Sequence, residues 1–438
     1  MTLFRPTLAV MALAAMLDGR TAIFGQAAPE SSTPITLAQA ETAALANQPR
    51  MLAAQLRARS SEARVREARA GYQPTVAFNA TGVRVADAGT STAAGNITTS
   101  AVSDRFAYGG NLAQMVTDFG RTNALVSSAH ATAEAQADLA ILTRAQVRLN
   151  VRQAYYQVLG AEAVSRAARA ALENRALVSR QLSTLAESEL KSTLDVNFAK
   201  VLQSEAELAV VRAESAVAQQ RSHLATAMGL LAPVASPLVD LPATADALPP
   251  TPDSLLPQGV AQRADLSAAQ SRQKAAAEFA LSEKRLSYPT LNVLAAAGDV
   301  PFHDHTLHDS YAAAGFNLNI PIFNGGAFHA RQAEAELEAN ARTQDTRELR
   351  LEVGEQVRDS WYRANEAYRS LDVTTRLVAQ SKEALRLAQD RYDAGLGSIV
   401  ELNEAQLNET SAEMSAADAI YTYLSRRAEL DYAAGLLN

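Results

Sequence analysis

The sequence contains no cysteine, which excludes disulfides, thiolate metal sites and a lipid-anchored N-terminal cysteine. Aromatic residues are only 5% of the chain although 48% of its 438 residues are hydrophobic, and alanine supplies much of that apolar content. Such a composition disfavours a thick globular core and suits closely packed helices. Positive charge is not in excess either: the net charge is -7 and the pI near 5.5, so there is no basic footprint for nucleic acid. Past the N-terminus no run of ~18 apolar residues occurs, so no helix is expected to span a bilayer, and any passage through a membrane falls to strands. Proline is missing from Thr75 to Ala232 and again after Pro321. Glycine is almost missing from the same stretches, with only Gly160 between Thr122 and Met228 and only Gly354 between Ala327 and Ala394. These gaps predict, in each half of the chain, an unbroken helix of roughly 60 residues, about 90 Å long. No compact globule is that wide, so such helices must pack lengthwise against one another.

What is present is ordered. Arg5 precedes the apolar run "LAVMALAAML" (8–17), and Gly25, Ala27 and Ala28 follow, so residues 1–28 are expected to be a secretory signal cleaved near Ala27 or Ala28. Seven of the fifteen prolines fall between Pro233 and Pro257, which marks 233–257 as a linker. It separates two units, 29–232 and 258–438, that echo one another. "ITLAQAETAALANQP" (35–49) is loosely repeated as "DSLLPQGVAQRADLSAAQ" (253–270), and "YQPTVAFNATG" (72–82) as "YPTLNVLAAAG" (288–298). "VTDFGRTNALVSSA" then answers "IPIFNGGAFHARQA". Each unit reads helix, strand, loop, strand, long helix, turn, helix, with the turns at 186–196 and 392–402.

The strands are the second signal. In "NLNIPIFNGG" (317–326), Leu318, Ile320 and Ile322 alternate with Asn317, Asn319 and Pro321, the period-2 pattern of one greasy and one wet face. Val76, Phe78 and Ala80 alternate in the same way, as do Leu291, Val293 and Ala295. Segments of about ten residues are the length that crosses hydrocarbon at a tilt. Four such strands cannot close a useful barrel, and an open edge is forbidden in lipid, so membrane strands here require closure with further copies.

The helix-ending "YQPT" and "YPT", the "FGR" and "PIFNGG" junctions, and "LAQDRYDAGLGSIVELNEAQLNETSAEMSAA" together resemble the TolC-like outer-membrane efflux protein family over nearly the whole mature chain. The resemblance implies an α+β membrane protein: a homotrimer whose twelve-stranded β-barrel in the outer membrane continues as a twelve-helix α-barrel through the periplasm. Each chain would give four strands and two long helical hairpins. It further implies an exit duct for efflux or type I secretion, opened by a periplasmic adaptor and an inner-membrane transporter. Passage through a duct requires no chemistry, and no catalytic constellation stands out in the sequence, so neither an enzyme nor a cofactor is expected. Glu401 and Glu404, three apart and so on one helix face, match acidic residues lining the family's narrow periplasmic entrance. Asp195 matches the corresponding acid of the first half, and Tyr392 a tyrosine of the gate network. The arginine that some relatives carry at the Gly397 position is absent, and the first turn has Glu189 and Lys191 where the second has Gly395 and Gly397.

Other motifs read more plainly. "GLGSIV" lacks a third glycine and a preceding strand, so it is no phosphate loop. "HDHTLHD" (303–309) puts His303, His305 and His308 in a loop between strands, where a solvated loop is expected in preference to a metal site. Trp361 and Tyr362 are expected to pack within a long helix. The competing class is a periplasmic adaptor or structural coiled-coil protein, which has no reason to repeat a membrane-length strand pair.

Overall fold

A computed structural model of the chain describes residues 33–84, 89–92, 99–102, 105–189, 192–240, 247–302 and 308–438. The expected signal over 1–28, Lys191, and His303 and His305 lie outside these residues. The first half runs α1 (Leu37–Asn47), α2 (Pro49–Ala70), β1 (Thr75–Val83), β2 (Gly89–Thr92), β3 (Thr99–Val102), β4 (Arg105–Thr117), α3 (Arg121–Glu187) and α4 (Thr193–Ala227). The second runs α5 (Leu256–Gln262), α6 (Ala264–Lys284), β5 (Thr290–Phe302), β6 (Ser310–Asn319), α7 (Ala327–Asp393) and α8 (Ile399–Ala433). No helix among the described residues is long and apolar enough to cross a membrane.

The long helices are as continuous as the missing glycine and proline require. α3 and α7 have 67 residues each, about 100 Å at 1.5 Å per residue, and α4 and α8 have 35 each. One shift of 206 residues, from 121 to 327, also carries Glu187 to Asp393, Thr193 to Ile399 and Ala227 to Ala433. The helix ends obey the same shift. Ser192 and Ser398 cap α4 and α8, their hydroxyls accepting from the backbone N–H of Leu194 and Glu401 at 3.1 Å. Left-handed backbone recurs at Phe119 and Gly325, Gly120 and Gly326, Glu189 and Gly395, Gly229 and Gly435.

The turn without glycine is therefore built by forcing Glu189 to φ 55°, where Gly395 takes φ 72° at no steric cost. Glu189→Gly is expected to stabilise that tip by about 1 kcal/mol. Hydrogen exchange at the last turn of α3 reads this as slowing of about fivefold, and unchanged exchange would refute the strain.

Four strands form one antiparallel sheet in the order β1-β4-β5-β6, and β2 pairs with β3 as a separate two-stranded ribbon not foreseen in the sequence. The register sorts the sheet into two faces. Val76 stands beside Leu112, Ala295 and Ala314; Phe78 beside Gly110, Ala297 and Ala312; Val293 beside Phe316; and Leu291 beside Leu318. Phe78 and Phe316 are 72% and 77% exposed on this apolar face. The opposite face carries Thr75, Asn79, Asn111, Asn292, Asn317 and Asn319, with Leu294 as an apolar exception, and Asn79 donates to Asn111 at 2.7 Å. β6 ends at Asn319, so the alternation through Ile320 and Ile322 outlasts the strand, Pro321 having no N–H to extend a ladder. Among the described residues neither β1 nor β6 has a partner on its outer edge.

The helices form a single wall. α2 and α4 lie end to end along α3, and α6 and α8 lie end to end between α3 and α7. The joint between α2 and α4 is tight: a Cβ on Gly229 would stand 2.9 Å from the Asn47 carbonyl carbon and oxygen, and Gln48 Nε2 donates to the carbonyls of Thr226 and Ala227 at 3.1 Å. The largest core lies beside this joint, where Val151, Tyr155, Val158 and Leu224 are fully buried. The Pro-rich segment is docked there. Ile35 bridges to Leu238, and the Tyr155 hydroxyl lies 2.9 and 2.7 Å from the Ile35 and Val239 carbonyls. Farther along the segment Leu248 and Leu255 pack on a separate cluster with Trp361, whose Nε1 donates to the Pro249 carbonyl at 3.0 Å. Trp361 is packed as expected, but Tyr362 is 58% exposed, because the neighbouring residue on a helix points about 100° away.

Candidate functional site at the hairpin tips

The two hairpins, α3–α4 and α7–α8, meet at their tips, the end of the molecule farthest from the sheet. All four helices contribute to one apolar cluster there: Leu182 from α3, Ala199 from α4, Ala388 and Tyr392 from α7, and Ile399 and Leu402 from α8. Its residues recur at helical spacing, so the cluster follows from the same amphipathic pattern that builds the walls.

Two of the four residues singled out from the sequence are brought together. Tyr392 sits in the last turn of α7, 7% exposed, and its hydroxyl feels the carboxylate of Asp195 in the first turn of α4. The positive end of the α4 dipole favours a carboxylate at that place. Burial, reinforced by the charge of Asp195, pushes the Tyr392 phenol up from 10.0 to about 12. The sign follows: the folded-state value is the higher one, so the stability that this phenol contributes is complete below pH 10 and is lost as pH rises toward about 12. Ultraviolet difference titration of the intact protein against Tyr392→Phe should show one phenolate forming near the top of that window. A missing phenol that titrates near 10 would refute the buried contact.

Glu401 and Glu404 project from the first turns of α8. Glu401 is the 206-residue counterpart of Asp195, and its side chain, 47% exposed, pairs with Arg391 Nε at 3.3 Å. Glu404 is exposed, and no cation lies within ion-pair distance of it among the described residues. Arg391, six residues before Gly397, is thus the cation that meets Glu401, a residue that sequence reasoning passed over. The turn makes the pairing: Leu396 N–H donates to the Arg391 carbonyl at 2.8 Å and Gly395 N–H to that of Tyr392 at 3.1 Å, folding α8 back on the end of α7. A Cβ on Gly397 would stand 3.2 Å from that of Arg391, so the turn is closed tightly over this residue. The signal that could have found it is the Gly395 turn itself, which sets residues just before it against the first turn after it.

Among the described residues the tip therefore offers one buried phenol–carboxylate contact between hairpins, one half-compensated acid and one acid outside any ion pair, with no nucleophile–base pair among them. Among the described residues no cluster of three or more His, Asp or Glu is arranged to hold a metal, and of the three loop histidines only His308 is among them.

Residues 42–230 and 255–436 match the family model described as outer membrane efflux protein. The outer membrane protein TolC of Salmonella enteritidis is 25% identical over 124 residues, 28% of this chain and 25% of the relative, so that alignment spans a quarter of the relative's length. Among solved structures, the outer-membrane channel OprN overlays 91% of this chain and 89% of its own with a TM-score of 0.78 at 22% identity. The outer membrane protein VceC of Vibrio cholerae overlays 91% and 96% with a TM-score of 0.77 at 20% identity. These similarities bear on the fold.

Proposed function

Because the chain belongs to the outer membrane efflux protein family, we propose that it is the outer-membrane exit duct of a tripartite efflux pump or type I secretion system, a passive channel opened by a periplasmic adaptor and an inner-membrane transporter. The observation that carries this reading is the two-faced sheet. Its apolar face, with Phe78 and Phe316, suits lipid, and its asparagine-lined face suits a wet bore. Both outer edges are unpaired among the described residues, a state that lipid does not permit. Three copies joined β1 to β6 give a closed twelve-stranded barrel.

The helical wall favours the same closure. Its two flanks, α7 on one side and α2 with α4 on the other, expose Leu337 and Leu351, and Leu56, Val201 and Val211 respectively. A neighbouring copy at each flank buries these side chains and continues the wall into a twelve-helix tube through the periplasm. Residues 1–28 then act as the export signal, 29–232 and 258–438 as two copies of one unit, and 233–257 as the strap between them. Glu401, Glu404, Asp195 and Tyr392 form the constriction where the tube narrows. A periplasmic adaptor has no use for a sheet with a lipid-facing surface.

Native mass measurement in mild detergent, paired with planar-bilayer recording, tests the proposal. A trimer with unitary conductance is expected. A water-soluble monomer without conductance would replace the duct with the adaptor or coiled-coil reading.

A further inference from the structure

About 18 Å above the tip, counting the twelve residues from Arg175 to the end of α3 at Glu187, a charge is buried where the two hairpins meet. Arg175 is 6% exposed. Its Nη2 donates to the Gln406 carbonyl and the Thr410 hydroxyl of α8, at 3.4 and 3.3 Å, both near the outer limit for a hydrogen bond. No carboxylate lies within ion-pair distance of it among the described residues, and Glu205 of α4 and Glu409 of α8 act on it only through their charge. Burial holds its pKa below the ordinary value. The guanidinium lines a cleft of about 390 Å³ that Lys382, Arg386 and Asp390 of α7 and Glu409 of α8 also line. The cations among them are engaged elsewhere: Lys382 pairs with Glu413 of α8 at 2.7 Å, and Arg386 with Asp390 at 2.8 Å.

The duplication supplies an internal control. Shifted by 206 residues, Arg175 becomes Ser381, 8% exposed, whose hydroxyl donates to its own helix at Val378. Packing of a long helix at this level therefore needs no guanidinium. A buried charge without a close partner disfavours the state that buries it, and exchange for an apolar residue of similar volume commonly stabilises that state. When the hairpins part, water reaches Arg175, and Glu205 of the same hairpin stays beside it, so the penalty belongs to the closed arrangement alone.

We propose that Arg175 is a positioning residue that holds the closed contact between the two hairpins near balance, its buried, poorly partnered charge favouring their separation. The inference rests on the duct reading for its biological meaning but not for its test. Absence of cysteine lets Leu194→Cys and Leu396→Cys, both exposed at the tips, carry unique spin labels in the full chain, diluted with unlabelled chain. Pulsed electron resonance then reads the distance between hairpins with and without Arg175→Met. Methionine is expected to reduce the separated population about tenfold and to lower channel open time by a similar factor. Arg175→Lys, which keeps the charge, is expected to return both toward wild type. An unchanged or larger separated population in Arg175→Met, or failure of that variant to assemble, would overturn the proposal. If wild-type protein gives no conductance while the distances still shift as expected, the duct reading fails and the balance between hairpins stands.

Discussion

Arginine in place of Phe78 is expected to abolish assembly in the outer membrane, whereas arginine in place of Asn79, the next residue, is expected to be tolerated. Phe78 is central in β1 on the apolar face, in register with Gly110, Ala297 and Ala312, so in the proposed barrel a charge there would stand in hydrocarbon. The cost is about 2–4 kcal/mol for each chain at the bilayer midplane, and closure of three copies incurs it three times over. Asn79 faces the opposite way, and its replacement forfeits one hydrogen bond to Asn111, a loss of about 1 kcal/mol. Recovery of heat-resistant oligomer from the outer-membrane fraction measures both. Equal tolerance at the two positions would mean that neither face meets lipid, and the barrel would have to be abandoned.

The second large effect is expected at the tip. Three copies would set six carboxylates of Glu401 and Glu404 about one axis, and a narrow bore lined by one sign of charge concentrates the opposite ion. Glu401→Gln with Glu404→Gln should lower the cation-to-anion permeability ratio by about an order of magnitude, with little effect on folding because the amide keeps the size of the acid. The ion pair to Arg391 refines the expectation. Glu401 is already half-compensated, so Glu404→Gln alone should account for the larger share, and Arg391→Gln should raise cation preference by releasing Glu401. Reversal potentials in a salt gradient decide it. Wild-type values in the double variant would return these glutamates to the status of a solvated helix end.

Much of the architecture was legible because it depends on backbone punctuation. The absence of proline and glycine determines the reach of α3 and α7, and alternation at Val76 and Phe78, or at Leu291 and Val293, determines which way the sheet faces. The ribbon of β2 and β3 was not legible, since "GTST" and "TSAV" carry no apolar alternation to mark a strand. Nor was the end of β6, because Ile320 and Ile322 continue the pattern after the ladder has stopped. At the tip, spacing alone placed Glu401 and Glu404 on one face. It could not reveal that Tyr392 reaches Asp195 or that Arg391 reaches Glu401, because those contacts depend on how two hairpins fold against each other. Arg175 was invisible for a different reason: an arginine on a helix reads as surface, and only the packing of α8 across α3 removes it from water.

The joint at Gly229 and Asn47 has a mechanical meaning. The wall there is like a two-ply strip with one ply cut and the other whole: α2 and α4 abut while α3 runs past them unbroken. Bending such a strip concentrates at the cut, so the segment beyond it behaves as a lever about 52 Å long, the length of the 35-residue α4. On that arm a tilt of about ten degrees sweeps the tip through about 9 Å, while the strands above the cut stay where they are. Large travel at the far end thus demands almost nothing of the anchored end.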